Sequence, residues 1–338
     1  MSKFMVTGAA GFIGSRVADQ LLSQGEDVIG IDNLNDAYDP RLKLHRLDAL
    51  RLYPNFVFQQ IDICDRQSLE ELIKKQTTNE NVAAIFNLAA RAGVPVSVEN
   101  PWLYVDTNTT GTLNLLDLAK QFGIPKFVLA STSSLYGSQN PLPYNENANT
   151  DRPLSPYAAS KKGAEALAYT YHHLYGLDVS VLRYFTVYGP AGRPDMSIFR
   201  FVHWIESGVP IQLTGDGSQS RDFTYVDDVA RGTVLAVRPL GYEIINLGSD
   251  RPYTLNEMIA LIEKFTGKNA EIQSFPTPHT DINATWADIN KARNLLGWLP
   301  QVSFEEGIGR LVSWYQENQA LASTINFPTL FKQNEKVS

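Results

Sequence analysis

Short apolar runs alternate with amphipathic segments through the first half of the chain. The runs are rich in β-branched and aromatic residues and predict strands over 4–7, 27–31, 56–61, 83–87, 126–130 and 179–183. Between them, apolar residues recur at helical spacing and predict helices over 12–23, 68–75, 109–122 and 157–175. Nearly continuous apolar strands that alternate with helices indicate a parallel sheet covered on both faces. We therefore predict an α/β fold with a doubly wound parallel sheet over residues 1–185.

The regularity falls after residue 185. Turns with proline and glycine separate short strands from helices predicted over 198–206, 227–237 and 255–265. We interpret residues 186–320 as a smaller α/β domain that binds the substrate and returns segments to the sheet. The polar end, 321–338, is predicted to be a loose tail.

The composition excludes several function classes. Across 338 residues the formal net charge is −7, so the clustered basic residues of a nucleic-acid surface are not expected. Cys64 is the only cysteine, which excludes an internal disulfide and favours a reducing compartment. The five histidines show no metal-ligand spacing, and no apolar run reaches the length of a membrane span. The first strand begins too early for a signal peptide, so we expect a cytoplasmic protein without metal, membrane segment or nucleic-acid partner.

Three glycines at intervals of three follow the first predicted strand and precede the first helix. Gly8, Gly11 and Gly14, in VTGAAGFIG, allow a tight turn and a close approach of the backbone to a pyrophosphate. The N-terminus of the helix stabilises the charge of such a group. A plain strand–helix turn is the alternative for these glycines, and the residues that end the next strands favour the dinucleotide.

The second and third predicted strands end in acidic residues. Asp32 is followed by Asn33, and a carboxylate there accepts both ribose hydroxyls of an adenosine. It also repels a 2′-phosphate, which favours NAD over NADP. Asp62, followed by Ile63, is placed for the adenine edge, with a turn or capping role as the alternative.

Tyr157 and Lys161 stand four residues apart in SPYAASK, within a predicted helix. An i, i+4 pair shares one helix face, so the ammonium can lie near the phenol and the cofactor ribose. A nearby cation favours phenolate and should lower the pKa of Tyr157. Such a phenolate could remove a proton from a sugar hydroxyl while a hydride leaves to NAD. The alternative is that Tyr157 and Lys161 lie on the surface of the helix without a catalytic role. The dinucleotide motif in the same chain argues against it.

With these motifs the chain resembles the extended short-chain dehydrogenases/reductases, specifically the nucleotide-sugar epimerases and dehydratases. The resemblance spans nearly the whole length and is carried by TGAAGFIG, NLAARAG, ASTSSLYG, SPYAASK, LRYFTVYGP, RDFTYVDDVARG and ADINKARNLLGW. It implies a Rossmann fold, NAD as cofactor, Thr132 as a catalytic hydroxyl, Tyr157 as acid/base and Lys161 as its electrostatic and ribose-binding partner. It also implies that further residues line the cofactor: Gly8, Gly11, Phe12, Ile13, Gly14, Leu88, Ala89, Ala90, Asn108 and Tyr184.

The run ASTSSLYG carries hydroxyl side chains at 131–134 and no acid. In the dehydratases and UDP-glucuronate decarboxylases of the family, the two positions after the catalytic hydroxyl hold an acid, which can protonate a leaving oxygen. Here they are Ser133 and Ser134. The resemblance therefore implies oxidation followed by re-reduction, which is epimerisation.

The segment TVYGPAGRPDM, residues 186–196, resembles that of UDP-glucuronate 4-epimerases. A uronate oxidised at C4 is a β-keto acid, so the enzyme must hold the C5 carboxylate away from the geometry that loses CO₂. We expect Ser133, Ser134 and Thr186 to hold that carboxylate, with turn capping as the alternative for each serine. A UDP-glucose/UDP-galactose 4-epimerase is the nearest alternative function, and a UDP-glucuronate decarboxylase is a more distant one.

Three further residues are assigned to the UDP-sugar by resemblance. Arg221 matches the arginine on the pyrophosphate, and Asp281 matches the acid on the uridine ribose. Arg193 is placed for either the pyrophosphate or the carboxylate, and a surface position is the alternative for each of the two arginines. Uronate epimerases commonly read AGVR where this chain has Pro95, so that arginine is either absent or replaced by Arg91.

Helices 109–122 and 157–175 carry apolar residues beyond one core stripe. They are Leu113, Leu116, Leu118, Leu167, Tyr171 and Leu174. Equivalent helices form a two-fold four-helix interface in the family, so the resemblance implies a homodimer, with core packing as the alternative.

Overall fold

The computed structural model describes residues 2–77, 81–276 and 283–327. Its strands are β1 (Lys3–Thr7), β2 (Asp27–Ile31), β3 (Phe56–Gln59), β4 (Val82–Asn87), β5 (Lys126–Thr132), β6 (Asp178–Tyr184), β7 (Thr186–Tyr188), β8 (Ile211–Thr214), β9 (Ser220–Tyr225), β10 (Tyr242–Leu247), β11 (Pro252–Thr254), β12 (Ile272–Phe275) and β13 (Ala284–Thr285).

Its α-helices are α1 (Phe12–Ser23), α2 (Pro40–Leu50), α3 (Arg66–Gln76), α4 (Val94–Glu99), α5 (Pro101–Tyr104), α6 (Gly111–Gln121), α7 (Pro156–Tyr175), α8 (Ser197–Ser207), α9 (Val226–Leu235), α10 (Leu255–Thr266), α11 (Asn290–Leu296), α12 (Phe304–Glu317) and α13 (Gln319–Ala322). A π-helix over Val105–Thr110 joins α5 to α6, and a 3₁₀ turn over Ser133–Tyr136 follows β5.

Seven strands form one parallel sheet in the order β10-β6-β5-β4-β1-β2-β3. Apolar clusters cover both of its faces, because most strand residues that point to either face are apolar. The order reverses beside β1, where doubly wound sheets bind ligands. The predicted fold class is confirmed, and β10 is a strand from the second half of the chain that completes the sheet.

A smaller layer is built from the second half. Strand β9 pairs with β7, β11 and β13, and β8 pairs with β12. Helices α8, α10 and α12 pack together around a separate apolar cluster that includes Phe199, Ile259 and Ile308. Thr186 and Val187 of β7, together with Arg193 and Met196 just before α8, line a cleft at the carboxyl ends of the sheet strands.

Capping residues fix the ends of α7, the helix that carries Tyr157. The hydroxyl of Ser155 accepts from the backbone N–H of Ala158 at 3.2 Å, and Pro156 occupies the first turn. Gly176, with φ +70°, ends the helix in the left-handed conformation. These signals set the start of the helix one turn before Lys161.

The segment 321–327 packs against the rest of the protein, in contrast to the loose tail predicted from its polarity. Ile325 is buried, and the backbone N–H of Asn326 donates to the Asp39 carboxylate at 3.2 Å. The Arg41 guanidinium donates to the hydroxyl and the carbonyl of Thr324 at 2.9 and 2.5 Å. Hydrogen bonds from Arg41, only partly offset by burial, lower the pKa of Asp39 to about 2. The end of the described chain is thus joined to the start of α2.

Candidate active site

A cleft of about 390 Å³ lies at the carboxyl ends of β1, β2, β4 and β5. Its wall contains most of the predicted cofactor residues: Gly8, Gly11, Phe12, Ile13, Gly14, Asp32, Asn33, Asp62, Ile63, Leu88, Ala89, Ala90, Tyr157, Lys161 and Tyr184. The predicted substrate residues on the wall are Ser133, Ser134, Thr186 and Arg193. The topology therefore brings side chains from distant parts of the sequence into one site.

The glycine turn leaves no room for side chains. Gly8 has φ +71°, and a Cβ there would lie 2.8 Å from the backbone nitrogen of Ala89. A Cβ on Gly14 would overlap the carbonyl oxygen of Gly8. The turn thus brings bare backbone to the N-terminus of α1, whose first N–H groups have no partner within the helix. This cradle fits a dinucleotide pyrophosphate.

Asp32 is buried at the end of β2 and is held by several groups. Its carboxylate accepts from the backbone N–H groups of Ala10 at 3.2 Å and Leu34 at 2.8 Å. The ammonium of Lys43 lies 3.5 Å from it and donates to the Asn35 side chain at 3.0 Å. Sequence reasoning missed Lys43, because α2 was not predicted; recognising Asp39-Pro40 as a helix start would have placed it.

Asp62 is part of a small polar group. Its carboxylate accepts from the Asn33 amide at 2.7 Å and from the backbone N–H of Cys64 at 2.8 Å. Burial alone would raise its pKa, but these hydrogen bonds and the charge of Arg91 hold the pKa below its ordinary value. Arg91 thus acts on Asp62, and it is not among the residues of the cleft wall.

The structure does not place Asn108 on the cleft wall. Its amide is buried in the π-helix and donates to the Arg91 carbonyl and the Ser160 hydroxyl, both at 2.9 Å. Its carbonyl oxygen accepts from the backbone N–H of Arg91 at 2.8 Å. The side chain therefore ties the loop after β4 to α7, because its donors and acceptor are already used within the protein.

Thr132, Tyr157 and Lys161 converge at the end of β5. Tyr157 and Lys161 lie on successive turns of α7, and the Thr132 hydroxyl is close enough to the Tyr157 phenol to favour its ionised form. The ammonium of Lys161 donates to the backbone carbonyl of Ala130 at 2.8 Å. A phenol, a hydroxyl and an ammonium in this arrangement can move a proton to or from a bound hydroxyl group.

The electrostatics around Tyr157 differ from the sequence-based expectation. Burial raises the pKa of Tyr157; the Thr132 hydroxyl and the charge of Arg193 act in the opposite direction. Lys161, expected to supply that charge, faces the Ala130 carbonyl. Its own pKa is lowered by burial to about 8, against an opposing effect of Glu165. In the protein alone, the cation that favours the phenolate is Arg193.

The four hydroxyls of the ASTSSLYG run have different surroundings. Ser131 lines the cleft, but its hydroxyl donates to the Glu165 carboxylate at 2.6 Å, and Glu165 is not among the wall residues. The Thr132 oxygen accepts from the backbone N–H of Ser134 at 3.1 Å, which caps the 3₁₀ turn. Ser133 and Ser134 are half-buried on the wall, and among the described residues neither hydroxyl has a protein partner. Both are available to a ligand.

The predicted arginines divide between two places. Arg193 is on the wall, pairs with the Asp195 carboxylate at 3.0 and 2.5 Å, and donates to the Ala92 carbonyl at 3.4 Å. Arg221 is half-buried on β9, where it donates to the Ser220 carbonyl at 2.8 Å, and it is not among the wall residues. Asp281 lies outside the described residues.

Residues 2–77, 81–276 and 283–327 contain neither a candidate metal site nor a candidate membrane-spanning helix. No cluster of three or more histidine, cysteine, aspartate or glutamate side chains there has the geometry of a metal site. Within the same part of the chain, none of the helices is both long and apolar enough to span a membrane.

Comparison with known proteins gives consistent matches. Residues 5–311 match the family model described as GDP-mannose 4,6 dehydratase. A UDP-glucuronate 4-epimerase of Thermodesulfobacterium geofontis is 56% identical over 96% of this chain and 99% of that protein. A probable UDP-glucuronate 4-epimerase of Rhizobium meliloti is 37% identical over 95% of this chain and 99% of that protein.

Solved structures agree with the sequence matches. The UDP-glucuronic acid 4-epimerase of Bacillus cereus, in complex with UDP-glucuronic acid and NAD, is 35% identical with a TM-score of 0.86, covering 93% of this chain and 99% of that one. The UDP-glucose 4-epimerase of Thermotoga maritima, in complex with UDP-glucose, is 33% identical with a TM-score of 0.86. The match covers 94% of this chain and 99% of that one.

Proposed function

The chain belongs to the GDP-mannose 4,6-dehydratase family of extended short-chain dehydrogenases/reductases, and on that premise we propose that it is a UDP-glucuronate 4-epimerase. It interconverts UDP-glucuronate and UDP-galacturonate through a 4-keto intermediate and uses NAD. Ser133 and Ser134 carry this assignment, because they line the cleft directly after Thr132, where an acid would serve dehydration. The expectations from sequence of an NAD-dependent enzyme and of this activity are thus confirmed by the relatives.

The chain's own residues define what the cleft can hold. The glycine turn and α1 would hold the cofactor pyrophosphate, Asp32 the adenosine ribose, and Lys161 the other ribose. In this position NAD would supply the acceptor for a hydride from C4 of the sugar and the donor for its return to the opposite face of the sugar ring.

Tyr157 takes the proton from the C4 hydroxyl and later returns it, either directly, with Thr132 beside it, or through the Thr132 hydroxyl. Arg193 favours the phenolate that this exchange requires. Between the two hydride transfers, the sugar rotates about its link to the anchored UDP, so the ring must be held less firmly than the nucleotide. Short hydroxyl side chains around the ring suit that requirement.

The keto acid must be protected while the sugar rotates. Loss of CO₂ requires the bond from C5 to the carboxylate to align with the C4 carbonyl π system. Ser133, Ser134 and Thr186 line the wall near Thr132 and can donate to the carboxylate from one side. We assign them to holding the carboxylate out of that alignment.

The test is incubation with UDP-glucuronate, chromatographic resolution of the products and measurement of CO₂. We expect UDP-galacturonate with little CO₂, and a larger CO₂ fraction from the Ser133→Ala/Ser134→Ala variant. Ser23→Ala, an exposed serine on α1, is the matched control. Substantial UDP-pentose from the unaltered enzyme would contradict the carboxylate role. Turnover of UDP-glucose or UDP-galactose alone would replace the proposal by the neutral-sugar 4-epimerase.

We also propose a homodimer formed by the face around α6 and α7. Exposed apolar side chains on this face include Trp102 (76% exposed), Val105 (41%), Leu113 (36%) and Leu174 (59%). Leu116 and Leu118, which the sequence suggested for the interface, belong to the core because both are fully buried. In light scattering, Trp102→Asp should give a monomer, whereas Leu52→Asp, at another exposed leucine, should leave a dimer. A wild-type monomer would exclude this interface.

For the location we propose the cytoplasm. The sequence has a single cysteine, Cys64, and therefore no internal disulfide, which is typical of proteins in a reducing compartment. Fractionation of the native host would test this location, and recovery in another compartment would overturn it.

A further inference from the structure

Arg46 joins two loops, each of which contributes neighbouring residues to the wall of the cleft: the glycine turn and the loop over 189–193. It lies on α2, is 6% exposed, and donates to the Ala10 carbonyl at 3.1 Å. It also donates to the Ala191 carbonyl at 3.0 and 2.6 Å and to the Gly192 carbonyl at 3.2 Å. The Tyr38 hydroxyl accepts a further bond at 2.7 Å. One guanidinium thus joins the cofactor turn to the loop before Arg193.

The loop over 189–193 depends on such a partner. Ala191 has φ +53°, a strained conformation that a residue with a side chain keeps only where its surroundings hold it. The Ala191 and Gly192 carbonyls both accept from Arg46, and a buried carbonyl without a donor would be costly. The planar fork of an arginine can serve two carbonyls at once, which an ammonium cannot do with the same geometry.

The other end of the bridge is anchored at the cofactor site. Ala10 follows the glycine turn, and its backbone N–H donates to the Asp32 carboxylate at 3.2 Å. The ring of Phe12, at the start of α1, lies 5.8 Å from the Arg46 guanidinium. Arg46 therefore takes its position from the elements that fit the NAD pyrophosphate and ribose.

The loop that accepts hydrogen bonds from Arg46 ends at Arg193, which faces the catalytic residues. Arg193 follows Gly192, lies on the cleft wall, and is close enough to Tyr157 to favour its phenolate. Its backbone position is set by the two carbonyls that Arg46 holds. Its side chain is oriented by Asp195 and by the Ala92 carbonyl.

We propose that Arg46 is a positioning residue that holds Arg193 at the reacting end of the cleft by bonding its loop to the cofactor turn. This role rests on the function proposed above, because it assigns Arg193 to the uronate reaction. Arg46 itself touches neither reacting group and acts through Arg193. The position of the glycine turn is thereby linked to the position of the Arg193 guanidinium.

A double-mutant cycle of Arg46→Lys and Arg193→Met tests this coupling. We expect Arg46→Lys to keep its NAD and lose kcat by up to about 10²-fold, the scale of a small misplacement in an active site. If Arg46 acts through Arg193, the double variant should be no slower than Arg193→Met alone. Arg51→Lys is the matched control, since Arg51 ends the same helix on the surface and pairs with Asp48 at 3.0 Å; it should retain wild-type kcat.

Three results would overturn the inference: a kcat of Arg46→Lys within twofold of wild type, additive losses in the cycle, or a loss explained by missing NAD. Arg46→Met replaces the lysine variant in the cycle if the latter does not fold. The NAD content of each purified variant separates cofactor loss from misplacement. If the wild type turns over only neutral UDP-sugars, the proposed function fails while the cycle is still measurable with those substrates, so the two failures are distinguishable.

Discussion

Replacement of Glu165 by glutamine tests the buried ion pair behind the catalytic residues. The carboxylate accepts from Arg183 at 3.0 and 2.8 Å and from the Ser131 hydroxyl at 2.6 Å. Both charged side chains are almost fully buried, at 3% and 2% exposure. The substitution keeps the shape of the side chain and removes its charge.

The magnitude follows from what Arg183 retains. After the substitution, its guanidinium has the Glu146 carbonyl at 3.4 Å and the face of Tyr136 at 5.0 Å, and no carboxylate of the described residues is recorded at hydrogen-bond distance. A buried cation without its partner costs about 3–5 kcal/mol. We therefore expect the free energy of unfolding to fall by about 3–5 kcal/mol, with a lower urea midpoint.

Urea unfolding followed by circular dichroism measures the loss. The matched control is Glu306→Gln, which breaks the Glu306–Arg310 pair at 2.6 Å on α12, where both side chains are about half exposed (49% and 47%). An exposed pair of this kind contributes about 0.5 kcal/mol or less. If Glu165→Gln is no more destabilising than Glu306→Gln, the pair is not the stabilising element that its burial implies.

Three further outcomes follow from the site and its borders. The pKa of Lys161 is lowered from 10.5 to about 8, so the ammonium that would hold the NAD ribose is present below that pH. The NAD content of the purified protein should therefore decrease as the pH rises through about 8, and an unchanged NAD content up to pH 10 would contradict the ribose-binding role. The pKa of Asp39 is lowered from 3.8 to about 2, so the stability it provides is present above its unfolded pKa and is lost as the pH falls through about 2. The difference in unfolding midpoint between wild type and Asp39→Asn should therefore shrink from pH 5 to pH 2, and a constant difference would argue against it. Gly14→Ala places a Cβ against the Gly8 carbonyl oxygen and should abolish co-purification of NAD, measured by absorbance after denaturation; full NAD content would show that the turn can adjust.

Most residues that local patterns assigned to the cofactor lie together on the cleft wall. The glycine turn and the acid after β2 belong to one strand–helix–strand unit, and the period of Tyr157 and Lys161 is that of a single helix. These residues lie on the cleft wall because the topology of a parallel sheet brings strand ends together. For these residues, their spacing within one helix or one strand–helix–strand unit was sufficient to predict that they lie close together.

Helix α2 could not be predicted in the same way. Its buried face mixes Leu42 and Leu47 with Lys43 and Arg46, so charged residues interrupt the apolar stripe that identifies an amphipathic helix. Both charged residues are buried because they bond to groups far away in sequence. The cation near Tyr157 was misassigned for a similar reason, since Arg193 reaches it from a loop outside α7. When a buried charged residue bonds to a group far away in sequence, the hydrophobic periodicity of the sequence does not reveal that contact.

Strand β10 has a consequence for how the protein is made. A chain emerges from the ribosome at about 5–20 residues per second, N-terminus first. Strand β6 is therefore synthesised well before β10, its outer neighbour in the finished sheet. Until then β6 offers an open hydrogen-bonding edge, with Val179 and Val181 that are fully buried in the finished protein. Translational pausing between residues 185 and 242 should therefore promote aggregation of the nascent chain, and a fragment that ends at 185 would keep that edge permanently open.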